Sequence, residues 1–411
     1  MQSRTKTKTS ELGKTHPPDV LRDGDHGAVL TQTIESGKAD AQVSLEKPKS
    51  KRAKGSAEFN RNNLDFLRLI FASIVVLFHT SALTNVPAFA FLRKYTSPHF
   101  AVRGFFVISG LLIYRSYMRS SSVASYFEKR VRRIYPAYFT VIVVADIAFW
   151  PLSRFSTAGY FGLGFWKYLG ANLLFLNFLA PSLPGVFTSN GISAVNGALW
   201  TLKIEVAFYL LVPVIHSLCV RFGTKKAFGA IFLFSCAWKY GFAWLAAIYN
   251  SPSIFSLDGS RNIYSELKVQ FPAELMYFCA GVLLLLYFDR LKSHFRSIFL
   301  ISACLFLLDQ WVTRDALDVF WISGFVFVFG FWRYVGNFSK YGDFSYGVYI
   351  VHWPILQTLI IFGVDRLNPA IFLGVSLTLI GLAAFLMWHL VERHFLTSSS
   401  HYRQGSLKAP A

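Results

Sequence analysis

A series of long apolar segments is the feature that most constrains what this sequence can fold into. From Leu64 to Leu390 one apolar segment follows another, and many have about the 20 residues that a helix needs to cross roughly 30 Å of hydrocarbon. Only 15% of the residues are charged, whereas soluble domains have about 25%. The alternating pattern of membrane β-strands is absent. We therefore predict an all-α, polytopic integral membrane helical bundle.

The apolar segments predict about ten transmembrane helices. They divide the chain into a polar, disordered tail at residues 1–58, a transmembrane domain at 59–395 and a short tail at 396–411. A further apolar stretch, residues 165–180, contains Lys, Gly and Asn, and we expect it to be re-entrant or interfacial rather than to cross. The predicted spans are residues 64–83, 99–117, 134–151, 199–218, 227–249, 271–288, 297–312, 318–332, 344–362 and 370–390.

The positions of Lys and Arg predict the orientation. The net charge is +19, but the basic residues lie in tails and short loops, so nucleic acid is not an expected partner. If residues 165–180 do not cross, fourteen basic residues fall on the side of the N-terminus and eight on the other. We therefore expect both termini in the cytoplasm. The fourteen are Arg115, Arg119, Lys129, Arg130, Arg132, Arg133, Arg221, Lys225, Lys226, Arg290, Lys292, Arg296, Arg333 and Lys340, and the eight are Arg93, Lys94, Arg154, Lys167, Arg261, Lys268, Arg314 and Arg366.

The cysteines indicate neither disulfides nor a metal site. All four lie in apolar stretches and none has the paired spacing of a zinc ligand set. We treat them as small core residues: Cys219, Cys236, Cys279 and Cys304.

Three ionisable residues of the first span are predicted to share one helix face. Arg68 and His79 are separated by eleven positions, which places them about 20° apart around a helix, and Asp65 lies about 40° from His79 on the other side. Ionisable groups within a membrane span are energetically expensive and indicate function. His79 is expected beyond the midplane, and Arg68 near the cytoplasmic end. The alternative is an Asp65–Arg68 ion pair beside a packed histidine.

Five motifs in order resemble a known family. Arg68 and His79 in the first span are followed by GFFVISGLLI, by an RxxR spacing in YFEKRVRRIYPAY, by LWTLKIEVAFYLLVP and by GDFSYGVYIVHWPI. Over roughly residues 60–395 this series resembles the membrane acyltransferase type 3 family, integral membrane O-acyltransferases of carbohydrates. Lys203 and His394 depart from the residues usual in that family. The remaining motif residues are Gly104, Ser109 and Gly110, read as helix packing, and Arg130, Arg133, Trp200, Glu205, Tyr209, Ser345, Tyr349 and His352.

The resemblance implies transfer of an acetyl or other short acyl group from cytoplasmic acyl-CoA, acting as a co-substrate without a tightly bound cofactor, to a carbohydrate or lipid-linked sugar. It also implies the bacterial inner membrane, with membrane lipids around the helices. Removing a proton from a hydroxyl near neutral pH suits histidine. His79 is therefore the expected general base or transient acyl carrier, with Arg68 and Glu205 as further catalytic residues.

The other candidate residues divide into two groups. Arg130, Arg132 and Arg133 are expected to bind the phosphates of acyl-CoA, because guanidinium groups suit phosphate; the alternative is that they mark only the cytoplasmic side. Candidates for substrate binding are Trp200, Tyr209, Tyr349 and His352. A rival function is a transporter or flippase that uses Arg68 and His79 as a proton or substrate site.

Overall fold

The computed structural model of the protein describes residues 58–84, 86–252, 262–313 and 315–397. The predicted tails, apart from Glu58 and residues 396–397, lie outside the described residues. In the described part, eleven helices have eleven or more residues, and we label them in chain order. They are α1 Leu64–Leu83, α2 Pro98–Met118, α3 Val123–Ala148, α4 Leu163–Leu173, α5 Trp200–Phe222, α6 Thr224–Ile248, α7 Phe271–Leu286, α8 Phe295–Leu308, α9 Asp318–Phe331, α10 Phe344–Ile361 and α11 Pro369–Met387.

The helical fold class is confirmed, and a helix lies at each of the ten predicted spans. Local sequence signals explain several of the boundaries. Before α2, the Ser97 hydroxyl accepts a hydrogen bond from the Phe100 amide at 3.2 Å, and Asn368 accepts one from the Ala370 amide at 2.8 Å before α11. Both helices then begin with proline, whose missing N–H costs nothing in the first turn.

The number of helices able to cross a membrane is smaller than the number of predicted spans. Within the described residues, seven helices are long and apolar enough to cross, or eight when Pro87–Tyr95 and Pro98–Met118 are taken as one bent span. Helix α9 has only 14 residues, and α3 carries several charged residues in its first half. Ten crossings therefore remain a prediction.

Contacts between helix ends show how the bundle is arranged. At one end, the Asn63 side chain before α1 donates to the carbonyl oxygens of Phe329 and Arg333 at the end of α9, at 2.9 and 2.6 Å. At the same end, Arg133 of α3 pairs with Glu392, which follows α11. We call this the Arg133 end, and the opposite end, which contains His79 late in α1, the His79 end. This up-and-down order is the one expected if α4 does not cross.

The ambiguous stretch at residues 165–180 forms a short helix and a turn. Helix α4 has 11 residues, which gives a length of about 16 Å, half of the hydrocarbon thickness. It is followed by a 3-10 turn at Asn177–Leu179, and the Tyr138 hydroxyl of α3 donates to the Asn172 carbonyl at 2.6 Å. This length favours a re-entrant or interfacial segment.

Glycines allow close helix approach in the bundle. A Cβ atom on Gly110 of α2 would overlap the carbonyl oxygen of Phe278 in α7, and one on Gly281 would overlap the Val107 carbonyl oxygen. A Cβ on Gly104 would lie 2.5 Å from the Phe71 ring of α1. Small residues permit this kind of contact between membrane helices. Gly104 and Gly110 therefore have the packing role predicted for them.

Candidate active site

Helices α1 and α10 meet through two of the three ionisable residues highlighted in the first span, and the third, Asp65, lies 3.8 Å from Arg68. Arg68 pairs with Asp343, the residue just before α10, and His79 contacts His352 within α10. Because early residues meet early residues and later residues meet later ones, the two helices run in the same direction. Arg68 and His79 therefore face the same neighbouring helix, as their angular spacing predicts, and lie about 16 Å apart along α1.

At the His79 end, two histidines form a direct hydrogen bond. His79 Nδ1 lies 2.8 Å from His352 Nε2, and His352 is fully buried. His352 Nδ1 lies 3.3 Å from the carbonyl oxygen of Val348, one turn earlier in α10. The Trp353 ring packs edge-on against His79 with centroids 4.8 Å apart. His352, which was expected only to bind substrate, is thus in contact with His79, the expected base.

A loop after α4 covers this part of α10. The Trp353 indole donates to the Ala194 carbonyl at 3.0 Å, and the Asn196 side chain donates to the Ile350 carbonyl at 2.8 Å. Further along α10, the Gln357 side chain donates to the Ala194 carbonyl at 2.9 Å. A Cβ on Gly197 would lie 2.5 Å from the Trp353 ring. The loop therefore fixes the indole that packs against His79.

Two other candidate substrate-binding residues lie near the same helix. The Tyr349 hydroxyl is 2.7 Å from the Thr201 hydroxyl and donates to the Ala198 carbonyl at 3.2 Å, which ties α10 to the start of α5. The Tyr349 ring also meets the His352 ring edge-on, with centroids 5.9 Å apart. Trp200, the first residue of α5, is partly buried. Tyr349 is therefore in contact with the histidine pair, and Trp200 lies at the start of the helix to which Tyr349 is bonded.

At the Arg133 end, a buried carboxylate joins three elements. Asp343 accepts hydrogen bonds from Arg68 of α1 and Arg133 of α3, and its other oxygen accepts one from the Ser345 hydroxyl at 2.5 Å. Burial alone would raise the pKa of the Asp343 carboxyl, but the two guanidinium groups outweigh this effect and hold that pKa well below its ordinary value. Arg133 also donates to Glu392 at 2.7 Å.

The three candidate phosphate-binding arginines have different surroundings. Arg132 forms an exposed ion pair with Glu128 at 2.9 Å, whereas Arg133 belongs to the buried Asp343–Glu392 network. Arg130 is half-buried; it donates to the Ser116 hydroxyl at 3.2 Å, and its Nε is buried without a hydrogen-bond partner. The structure thus does not bring the three guanidinium groups together in one site.

Glu205 and Tyr209 lie beside Arg130 rather than beside the histidine pair. The Tyr209 hydroxyl donates to the Glu205 carboxylate at 2.7 Å, and the Arg130 guanidinium lies over the Tyr209 ring at 5.8 Å. The side chain that hydrogen-bonds His79 is the imidazole of His352, and not the carboxylate of Glu205. This position connects Glu205 and Tyr209 with the arginines of α3.

Sequence reasoning missed a second buried polar cluster at the His79 end. Arg103 of α2 pairs with Asp318 of α9 at 2.5 Å and approaches Glu274 of α7 at 4.0 Å. Lys239 of α6 lies 3.4 Å from Asp318, and the Tyr277 hydroxyl donates to Asp318 at 2.7 Å. Two cations thus face two carboxylates. Isolated charges in apolar spans were the available signal, and the cluster links four helices.

The fold and the arranged residues define a multi-pass membrane protein with the His79–His352 pair at one end of the bundle and the paired Arg68, Arg133 and Asp343 at the other. Comparison with known sequences places it among enzymes. Residues 61–388 match the family described as "Acyltransferase domain", acyltransferase 3. The chain belongs to this family and is a membrane acyltransferase. The family resemblance inferred from the five motifs is confirmed.

Two bacterial or phage relatives are similar over most of their length. Nodulation protein 10 of Rhizobium leguminosarum bv. viciae is 29% identical over 332 residues, which cover 74% of this chain and 85% of the relative. An O-acetyl transferase of Shigella phage Sf6 is 28% identical over 351 residues, which cover 82% of this chain and 97% of the relative. No solved structure matches the chain.

Proposed function

We propose that the protein transfers an acetyl group, or another short acyl group, from acyl-CoA to a hydroxyl of a carbohydrate or glycolipid. The observation that carries this proposal is the placement of Arg68 and His79 on one face of α1, against α10, at opposite ends of the bundle. A polyanionic acyl donor suits the arginine-rich end, and proton transfer suits the histidine end. The name of the phage relative, an O-acetyl transferase, supports acetyl as the transferred group and oxygen as the acceptor atom.

In the proposed reaction, His79 takes the proton of the acceptor hydroxyl as the hydroxyl oxygen attacks the thioester carbonyl. The new C–O bond forms, the C–S bond breaks, and the CoA thiolate takes up the proton that His79 received. If His79 instead carries the acyl group, its nitrogen makes the first attack and the acceptor oxygen makes the second. Both routes leave an ester and free CoA.

In the proposed orientation the protein lies in the bacterial inner membrane. Its Arg133 end faces the cytoplasm, where acyl-CoA is found. Arg130 is the arginine best placed to meet a phosphate, because Arg133 is already paired with Asp343 and Glu392. The part of α1 between Arg68 and His79 is packed against its neighbours, since Ala72, Val75 and Val76 are buried. The pantetheine arm therefore reaches His79 only if the helices around α1 separate.

Label transfer tests this function directly. Inside-out membrane vesicles containing the protein are incubated with acetyl-CoA labelled in the acetyl group, and the lipid and glycan fractions are analysed. We expect label in these fractions and stoichiometric release of free CoA, which vesicles lacking the protein do not show. Movement of a glycolipid across the membrane without acetyl-CoA, with no label transferred, would instead support the transporter or flippase.

A further inference from the structure

Each ring nitrogen of His352 has a polar neighbour, and the backbone of Tyr349 also hydrogen-bonds the ring. Nδ1 faces the Val348 carbonyl oxygen at 3.3 Å, and Nε2 faces His79 Nδ1 at 2.8 Å. A carbonyl oxygen only accepts hydrogen bonds, so Nδ1 of His352 carries the hydrogen. In a neutral imidazole the other nitrogen is then an acceptor. His352 Nε2 therefore presents a lone pair to His79.

The same reasoning assigns the hydrogen of His79. Because His352 Nε2 accepts, His79 Nδ1 donates, and the lone pair of the His79 ring lies on Nε2. We propose that His352 is a positioning residue that holds His79 in the one neutral tautomer whose Nε2 can attack or take a proton. This inference rests on the proposed function, since it assumes that His79 acts as the base or acyl carrier.

The hydrogen bond between His79 and His352 persists through the proposed reaction. When His79 Nε2 takes the hydroxyl proton, the resulting imidazolium keeps its Nδ1–H bond to His352 Nε2. When the proton passes to the CoA thiolate, the original neutral tautomer returns. His352 neither gains nor loses a proton, and the Val348 carbonyl keeps its ring from turning over.

The position within the bundle explains why a neutral partner suits this site. A carboxylate buried beside His79 would have to lose its hydration, which is costly in an apolar interior. A neutral imidazole orients His79 without placing a second charge there. His352 is fully buried, and Trp353 packs against His79 on another side. His352 therefore acts through His79 rather than by touching the acceptor.

Two substitutions at His352 separate positioning from packing. His352→Leu removes the acceptor but fills similar space, while His352→Gln places an amide oxygen near the position of Nε2. In inside-out vesicles supplied with labelled acetyl-CoA, we expect His352→Leu to lower kcat about 10²-fold, the lower end of the loss of a general base. The KM for acetyl-CoA should stay within about twofold, and His352→Gln should restore at least a tenth of the wild-type kcat.

His389→Leu is the matched control. His389 of the segment after α11 also places Nδ1 near the carbonyl oxygen one turn earlier, at 2.9 Å from Phe385, but it lies outside the proposed site. We expect wild-type rates from this variant and similar detergent stability in all three.

Three results would overturn the inference: wild-type kcat in His352→Leu, equal inactivity of His352→Leu and His352→Gln in folded protein, or a raised KM with unchanged kcat. Wild-type activity in His352→Leu combined with an inactive His79→Gln would reject the role of His352 alone. Acetyl transfer by His79→Gln would reject the roles of both histidines but not the transfer itself, whereas an absence of transfer by the wild-type protein would reject the proposed function.

Discussion

At the scale of single residues, the RxxR spacing separates two roles that the sequence had combined. Arg130 lies near Tyr209 with a buried Nε that has no hydrogen-bond partner, whereas Arg133 is held by Asp343 and Glu392. Helical spacing predicts that the two arginines point in similar directions. It does not predict their partners, because Asp343 and Glu392 follow more than 200 residues later.

Substitution of Arg130 tests its proposed contact with acyl-CoA. Arg130→Ala should raise the KM for acetyl-CoA about 10- to 150-fold, since a hydrogen bond to a charged group contributes roughly 1.5–3 kcal/mol. Arg132→Ala should leave KM unchanged, because Arg132 is exposed and paired with Glu128. Initial rates at varied acetyl-CoA concentration measure both. Equal KM values in the two variants would show that Arg130 does not bind the acyl donor.

Substitution of Arg133 should act first on stability. Arg133→Ala leaves Glu392 without its Arg133 partner, while Asp343 keeps its ion pair with Arg68. Removing one partner of a buried pair costs about 3–5 kcal/mol, whereas loss of the surface pair in Arg132→Ala costs at most about 1 kcal/mol. Thermal unfolding in detergent compares the two. If Arg133→Ala were as stable as Arg132→Ala, the buried network would not be structural.

At the scale of helices and loops, local sequence signals predict the helices but not the loops. Apolar length, Ser97 and Asn368 caps and N-terminal prolines predict helices close to those found. The loop between α4 and α5 could not be predicted in the same way. It is fixed by Trp353 and Gln357 of α10, which lie about 160 residues away in the sequence.

Two glycines of this loop provide a matched pair. Gly197→Ala would place a methyl group 2.5 Å from the Trp353 ring. A methyl group added at Gly191 would meet no neighbouring atom within 4 Å. Displacement of Trp353 disturbs the packing against His79. We expect Gly197→Ala to lower kcat at least tenfold, because small misplacements of catalytic groups are costly, and Gly191→Ala to retain wild-type kcat. Equal rates in both variants would separate the loop from the active site.

At the scale of the whole molecule, charge distribution and the order of helix ends favour the same topology. The start of α10 lies beside the start of α1, which requires an even number of reversals between them. If α4 crossed while every other predicted span also crossed, α10 would run against α1. The buried cluster of Arg103, Glu274 and Asp318 places the starts of α2, α7 and α9 together at the opposite end, as ten alternating spans require.

Cysteine labelling of a variant lacking the native cysteines tests this arrangement. Single cysteines at Lys129, Lys225 and Lys292 should react with a membrane-impermeant reagent only from the cytoplasmic side. A cysteine at Thr188 should react only from the other side. Reaction of the Thr188 position from the cytoplasmic side, with Lys225 on the opposite side, would show that α4 crosses the membrane.

The central claim is that His79 performs the proton or acyl transfer, and His79→Gln tests it most directly. Glutamine keeps a hydrogen-bonding side chain of similar length but cannot take a proton near neutral pH. In vesicles supplied with labelled acetyl-CoA, we expect a loss of transfer of about 10²–10⁴-fold, with wild-type stability and wild-type binding of acetyl-CoA. His79→Ala should be equally inactive. Near-normal transfer by a folded His79→Gln variant would contradict the account, because it would make this histidine a structural residue.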